Sequence, residues 1–211
     1  MSFVLSKVYP ILDDSFLPAT GRAEFLERLG RSLADAGVGL MEYRSKLGSD
    51  AEVLADARVL RVAMPDARLV MDDRVDVAMA AGFNGVHVDA GDLPPAEARL
   101  LMGAEAVIGT SASSEAQLAE ALASGANYIS FGPVFPTTTK RTLAAPMGIE
   151  GVTRYRSIAG AGPVLVAAAG ITLETAPLIL EAGADAVAVA AAIFRAGDPA
   201  AEFRRWTAVL G

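Results

Sequence analysis

The feature that most restricts the fold is a short, nearly continuous apolar run rich in Val and Ile that returns along the whole chain. Such runs fall at residues 8–12, 38–43, 68–71, 85–88, 106–109, 128–131, 163–168 and 186–190. They are too short for buried helices, and they lack the alternation of a strand with one wet face. A strand that is apolar at nearly every position is covered on both sides, the condition of a parallel sheet clothed in helices. The intervening segments read as those helices. Residues 20–36 place Phe25, Leu26, Leu29 and Leu33 on one side. Ser49 or Asp50 caps a helix carrying Leu54, Val59, Leu60 and Val62, and residues 74–81 end at Gly82. Ser113 or Ser114 caps 115–123, which ends at Gly125, and Thr172 caps 173–182, which ends at Gly183. A hydroxyl ahead of a helix and a glycine after it are physical start and stop signals.

Three segments, starting at Ala80, Ala123 and Glu181, share a helix end, a glycine turn and a buried strand. The repeat implies one βα unit used many times. Eight strands alternating with helices predict an α/β fold, a single (β/α)8 TIM barrel over residues 1–211, with an open doubly wound sheet as its rival. The chain has 211 residues, within the range of about 200–250 typical of a barrel.

Composition narrows the function. Hydrophobic residues make up 53% and the mean hydropathy is +0.39, enough for a large core. The longest uncharged apolar run, 186–194, is far short of the roughly 18 residues of a membrane span. No signal peptide is evident, so the expectation is a cytoplasmic protein without a membrane partner. The net charge of −7 disfavours nucleic acid, which needs surplus cations to displace counterions. The absence of cysteine excludes disulfides, thiolate metal sites and thiol nucleophiles. A single histidine excludes a multi-histidine zinc site.

A barrel carries its chemistry in the loops after the strands, and polar residues collect there. After the second strand, Arg44 and Lys46 alternate in Glu42-Tyr43-Arg44-Ser45-Lys46, so both point one way and suit an anion; a solvated charged loop is the plain alternative. After the third, Asp72 and Asp73 are adjacent carboxylates that suit magnesium, or a helix cap. After the fourth, Asp92 can complete a two-carboxylate site with Asp73, or form a turn. His87 lies within that strand and is read as structural. After the fifth, Ser111 can face the mouth, with no evident route from His87 to it and hence no Ser-His-Asp arrangement. After the sixth, Gly132-Pro133-Val134-Phe135-Pro136-Thr137-Thr138-Thr139-Lys140-Arg141 opens a long loop of hydroxyls and cations, the mark of a binding loop or lid. After the seventh and eighth, Ala169-Gly170-Ile171-Thr172 and Ala190-Ala191 are small enough to let backbone N–H groups approach a phosphate, or simply to pack tightly.

With these residues in view, the chain resembles the thiamine-phosphate synthase (thiamine-phosphate pyrophosphorylase) family from about Tyr9 to Phe203. The most specific match is Gly132-Pro133-Val134-Phe135-Pro136-Thr137-Thr138-Thr139-Lys140; Asp73-Arg74-Val75-Asp76, Gly85-Val86-His87-Val88 and the run from Gly183 to Val189 are shared more widely. The resemblance implies a transferase that joins hydroxymethylpyrimidine diphosphate to hydroxyethylthiazole phosphate, releasing diphosphate from an electron-rich pyrimidine without a protein nucleophile. It implies Arg44, Lys46 and Lys140 on the diphosphate, Asp73 and Asp92 on Mg2+, and Asp72 nearby. It implies Glu42 at the pyrimidine and Ser111 beside the pyrimidine or the departing group. Thr137, Thr139, Gly170, Ala190 and Ala191 would surround the thiazole phosphate. Arg44, Ser111 and Lys140 are the residues expected to act in catalysis, and assembly into a homo-oligomer stays open.

The chain departs from the family pattern at several places. Glu42 and Asp72 stand where Gln and Asn are usual, Asp89-Ala90-Gly91 replaces a Gly-Gln-Glu-like run, Ala169 replaces the first of two glycines, and Ala191 replaces Ser. The alternatives are a thiazole tautomerase-like isomerase, a non-catalytic regulatory relative that binds thiazole phosphate, and an unrelated phosphate-binding barrel such as an aldolase or epimerase. The first would need a histidine where Ser113 stands, and an aldolase would need a lysine on a strand, where none is assigned.

Overall fold

The computed structural model describes residues 5–137 and 144–211. Its strands are β1 (Val8–Asp13), β2 (Leu40–Arg44), β3 (Arg68–Asp72), β4 (Gly85–Val88), β5 (Val107–Ala112), β6 (Tyr128–Phe131), β7 (Val164–Ala168) and β8 (Ala186–Val189). All pair in parallel with their neighbours in chain order, and β1 pairs with β8 to close the barrel. The open sheet is thereby excluded. The helices among the described residues are α1 (Arg22–Asp35), α2 (Asp50–Ala63), α3 (Val75–Ala81), α4 (Pro95–Met102), α5 (Glu115–Ala123), α6 (Gly148–Ala159), α7 (Ala176–Glu181), α8 (Ala191–Phe194) and α9 (Pro199–Leu210). None is long and apolar enough to cross a membrane.

Strand periodicity sorts the side chains into two cores. Tyr9, Leu40, Val70, Val107, Tyr128, Val166, Ala186 and Ala188 pack together, and each stands at an alternate strand position, which turns it to the barrel axis. Their neighbours in sequence, among them Val8, Met41, Leu69, Ile129 and Leu165, join the larger cluster that the helices cover. Gly109 makes room on the axis: a Cβ there would lie 2.1 Å from the Tyr128 ring and 2.6 Å from His87 Nδ1.

The three repeated turns perform a common task at the bottom of the barrel. Gly82, Gly125 and Gly183 all have left-handed backbone. Two residues later, Asn84, Asn127 and Asp185 accept the N–H of Leu69, Ile108 and Leu165 at 3.0, 2.8 and 2.7 Å. An arginine from α2, α4 or α6 then holds each oxygen: Arg61 on Asn84 at 2.9 Å, Arg99 on Asn127 at 2.7 Å, and Arg156 on Asp185. The clasp supplies a partner to a strand N–H beyond the end of the sheet ladder.

The structure corrects several boundaries. Val38 and Gly39 precede β2, Ala190 lies beyond β8, and β5 runs to Ala112, so Ser111 belongs to a strand. Ser49 caps α2 in a reciprocal box with Glu52, and Ser114, not Ser113, caps α5. The helix expected at residue 173 begins at Ala176, because Pro177 has no N–H for an earlier turn and fits only the first turn. Thr172 instead interlocks with Thr175, whose hydroxyl accepts the Thr172 N–H at 3.0 Å.

The clasp gives a test by substitution. Asn127→Ala removes the acceptor for the Ile108 N–H and is expected to cost about 1–3 kcal/mol, read as a lower urea midpoint. Asn127→Asp, the residue found naturally at 185, is expected to stay within about 1 kcal/mol of the parent. Equal loss in both variants would contradict this account of the turn.

Candidate active site

The C-terminal ends of β1, β2 and β3 carry a lattice of ion pairs. Asp13 and Arg44 face each other in register and form a salt bridge. Arg44 Nε lies 3.6 Å from Asp72 Oδ2, and Lys46 Nζ lies 2.7 Å from the same oxygen and also meets Asp73. Asp14 accepts the Ser45 hydroxyl at 2.6 Å and the Leu47 N–H at 3.1 Å, which holds the β2 loop against the end of β1. Burial alone would lower the Lys46 pKa, but Asp72 and Asp73 outweigh it and the net shift is upward. Burial raises that of Asp72 against the pull of Lys46.

Asp73 leaves the strand with a positive φ of 60°, a backbone region that a non-glycine residue occupies at a cost. Its N–H donates to the His87 carbonyl at 2.8 Å, which fixes the turn. Its Oδ1 is buried without a hydrogen-bond donor. Asp92 lies beside it, with a pKa raised by burial and by the neighbouring Asp73 carboxyl. Its Oδ2 accepts the Asp89 N–H at 2.8 Å. Among the described residues this rim gathers six carboxylates (Asp13, Asp14, Asp72, Asp73, Asp89 and Asp92) around two permanent cations, Arg44 and Lys46. No cluster of three or more metal-ligating side chains occurs among them. A pair of carboxylates suits magnesium, which takes one or two and fills its remaining positions with water and phosphate oxygens.

Below the rim lies a buried polar chain. Tyr9 donates to Glu42 Oε2 at 2.8 Å, and the Tyr9 and Tyr128 hydroxyl oxygens are 2.7 Å apart. Tyr128 lies 3.1 Å from His87 Nδ1, and His87 Nε2 lies 2.8 Å from Ser111 Oγ. That last contact overturns the expectation that His87 has no route to Ser111. It arises because β4 and β5 are adjacent and residues 87 and 111 both point inward. The arrangement is still not a nucleophile triad. Asp89 approaches the same Nε2, at 3.5 Å, while Nδ1 faces a phenol, so no carboxylate orients the ring from the opposite nitrogen. Burial raises the Glu42 carboxyl to about 7, with His87 and the Tyr9 hydroxyl opposing. Burial would lower the His87 pKa, but Asp89, Glu42 and Asp72 bring the net shift upward.

Two adjoining cavities open at this end. One, of about 270 Å³, is lined by Asp89, Ser111, Ser130, Gly132, Thr137 and Ala169 among others. The second, of about 350 Å³, is lined by Asp13, Arg44, Thr137, Gly170, Ala190 and Ala191 among others. Thr137, Ala168 and Ala169 border both. The segment before Thr137 is pinned to β7 by Val134 N–H on the Ala168 carbonyl at 2.9 Å and Phe135 N–H on the Ala169 carbonyl at 3.1 Å. Ala169 and Gly170 follow each other in left-handed conformation, and a Cβ at Gly170 would lie 2.6 Å from the Pro136 carbonyl oxygen.

The structure thus brings Arg44, Lys46, Asp72, Asp73 and Asp92 to one rim, and Ser111, Thr137, Gly170, Ala190 and Ala191 to the cavity walls. Glu42 lies lower, on the Tyr9 hydroxyl. Thr139 and Lys140 fall outside the described residues. Sequence reasoning missed Asp13 and Asp14, although adjacent carboxylates ending the first strand are the same signal as Asp72 and Asp73. It also missed Tyr9 and Tyr128, whose mutual contact depends on barrel closure.

A family model described as thiamine monophosphate synthase matches residues 8–193. A thiamine-phosphate synthase of Koribacter versatilis is 40% identical over 189 residues, 89% of this chain and 88% of its own length. One of Agrobacterium fabrum is 40% identical over 179 residues, 82% and 81% of the two chains. Among solved structures, a thiamine phosphate pyrophosphorylase from Pyrococcus furiosus superposes with a TM-score of 0.80 at 30% identity, covering 97% of each chain.

The left-handed alanine offers a direct check. Ala169→Gly removes the steric cost of a Cβ at a φ of 75°, about 1 kcal/mol. It is expected to raise Tm by roughly 2–4 °C, and an unchanged or lower Tm would show that Ala169 is unstrained.

Proposed function

The chain belongs to the thiamine monophosphate synthase family, a family of transferases acting on small molecules, and we propose how its barrel, taken as one domain over residues 1–211, makes thiamine phosphate. The substrates are hydroxymethylpyrimidine diphosphate and hydroxyethylthiazole phosphate. The carbon–oxygen bond to the diphosphate breaks first, and the aminopyrimidine ring delocalises the positive charge left on its methylene carbon. The thiazole nitrogen then donates its lone pair to that carbon, and thiamine phosphate and diphosphate leave.

The observation that carries this reading is the rim of β1–β3, where a buried, donor-less oxygen of Asp73 lies beside Asp92 and close to Lys46. Arg44 and Lys46 bind the departing diphosphate, and Lys140 is assigned to it as a third cation. Asp73 and Asp92 hold Mg2+. When bound, magnesium supplies positive charge against the diphosphate in a rim otherwise rich in carboxylates. Asp72 keeps Arg44 and Lys46 in place between rounds. Ser111, with Glu42 beneath it, serves the pyrimidine side. Thr137, Thr139, Gly170, Ala190 and Ala191 receive the thiazole phosphate, where backbone N–H groups serve in place of the hydroxyl that Ala191 lacks. Catalysis rests on holding two substrates in line and on neutralising the leaving group.

The direct test is coupling of the two substrates by purified protein with magnesium and with EDTA. Thiamine phosphate and diphosphate in equal amounts, formed only with magnesium, are expected. Product at the same rate in EDTA, or none under either condition, would overturn the reading. Asp73→Asn, Lys46→Ala and Lys140→Ala are each expected to lower kcat/KM by roughly 100-fold or more, with circular dichroism unchanged. Near-normal rates in all three would remove the diphosphate site from this rim.

A further inference from the structure

The buried chain Glu42–Tyr9–Tyr128–His87–Ser111 crosses the whole barrel, from β2 to β5, through links of 2.8, 2.7, 3.1 and 2.8 Å. Tyr9, Glu42, Tyr128 and His87 are all at most 5% exposed, so water does not compete for these bonds. The rings are held as well as the hydroxyls. Tyr9 meets Tyr128 edge to face with centroids 5.4 Å apart, and His87 stacks on Tyr128 at 5.5 Å.

Donor counting gives the chain a direction. A carboxylate only accepts, and each phenol has one proton to give. With Glu42 ionised, Tyr9 gives its proton to Glu42 and can only accept from Tyr128. Tyr128 then gives its proton to Tyr9 and can only accept from His87. Nδ1 of His87 therefore carries a proton. A neutral imidazole free of such constraints prefers its proton on Nε2, so the chain imposes the less favoured form. The ring nitrogen left for Ser111 is Nε2, and Ser111 forms part of the cavity wall.

We propose that Glu42 is a positioning residue: through the hydroxyls of Tyr9 and Tyr128 it locks His87 with its proton on Nδ1, and the locked ring holds the Ser111 hydroxyl in place at the cavity wall. A glutamine in place of Glu42 has both donor and acceptor, so it leaves the direction of the chain open. The groups that face His87 are Tyr128 from β6, Ser111 from β5, Asp89 beyond β4, and the charges of Glu42 on β2 and Asp72 on β3. Among the described residues Tyr128 alone favours a proton on Nδ1, while the Asp89 carboxylate on the Nε2 side draws it the other way. The functional half of the proposal rests on the synthase reading, while the lock itself does not.

His87 is the only histidine in the chain, so in protein free of a histidine tag its two imidazole nitrogens give one pair of 15N signals. Spectra recorded above the pH at which the ring and Glu42 lose their protons read the lock without any substrate. The expected result is a proton on Nδ1 in the parent, and its transfer toward Nε2 in Tyr9→Phe and in the isosteric Glu42→Gln. In the coupling assay, Tyr9→Phe is expected to lower kcat by about 3–10-fold, the scale of one misdirected hydrogen bond, with KM for thiazole phosphate unchanged. A parent ring with its proton on Nε2, or spectra identical in parent and both variants, overturns the lock. A tautomer change with unaltered kcat overturns its role in positioning Ser111. If the parent itself makes no thiamine phosphate, the synthase reading fails, and the 15N spectra still decide the lock.

Discussion

The contact between the Tyr9 and Tyr128 hydroxyls, 2.7 Å apart at the barrel axis, is the constraint on which the interior depends. A closed parallel barrel drives inward side chains from every strand onto one axis, where a polar group without a partner is costly. Here two phenols fill that space with apolar rings and bring their hydroxyls together. Tyr128 fits because Gly109 on β5 has no side chain. Each hydroxyl then needs a further partner, and Glu42 and His87 supply them. The polarity of the core thus leads upward to Ser111 at the cavity wall.

The rim above follows a different rule. Among the described residues its carboxylates outnumber its permanent cations, and Arg44 and Lys46 are held among Asp13, Asp72 and Asp73. These ion pairs keep two long cationic side chains in place. Counted over the described residues, the rim carries net negative charge, which disfavours a bare diphosphate. On the proposed function, a divalent cation held by Asp73 and Asp92 would offset that charge and leave Arg44 and Lys46 to the leaving group. On this account the Asp at position 72 adds a holding charge for Arg44 and Lys46, at the cost of further dependence on the metal.

Much of the fold was legible because barrel strands are apolar on both faces and barrel turns repeat. The glycine turns at 82, 125 and 183 marked the units, and their left-handed backbones bear out that reading. Helix starts were less legible: Thr172 resembles a cap, yet Pro177 moves the start of α7 to Ala176. Rim residues were readable as polar groups after strands, and that rule found Arg44, Lys46, Asp73 and Asp92. The interior chain was not readable in this way. His87 and Ser111 are 24 residues apart, and Tyr9 and Tyr128 are 119 apart. Only strand order and register bring them together, and neither is written in local composition.

The central claim is that this carboxylate-rich rim accepts diphosphate only together with a divalent cation. Calorimetric titration of the protein with inorganic diphosphate, with magnesium present and then with EDTA, tests it most directly. The account predicts saturable binding at one site with magnesium and its loss in EDTA. Equal affinity under both conditions would contradict it, because the cations of the chain alone would then be sufficient to hold the leaving group.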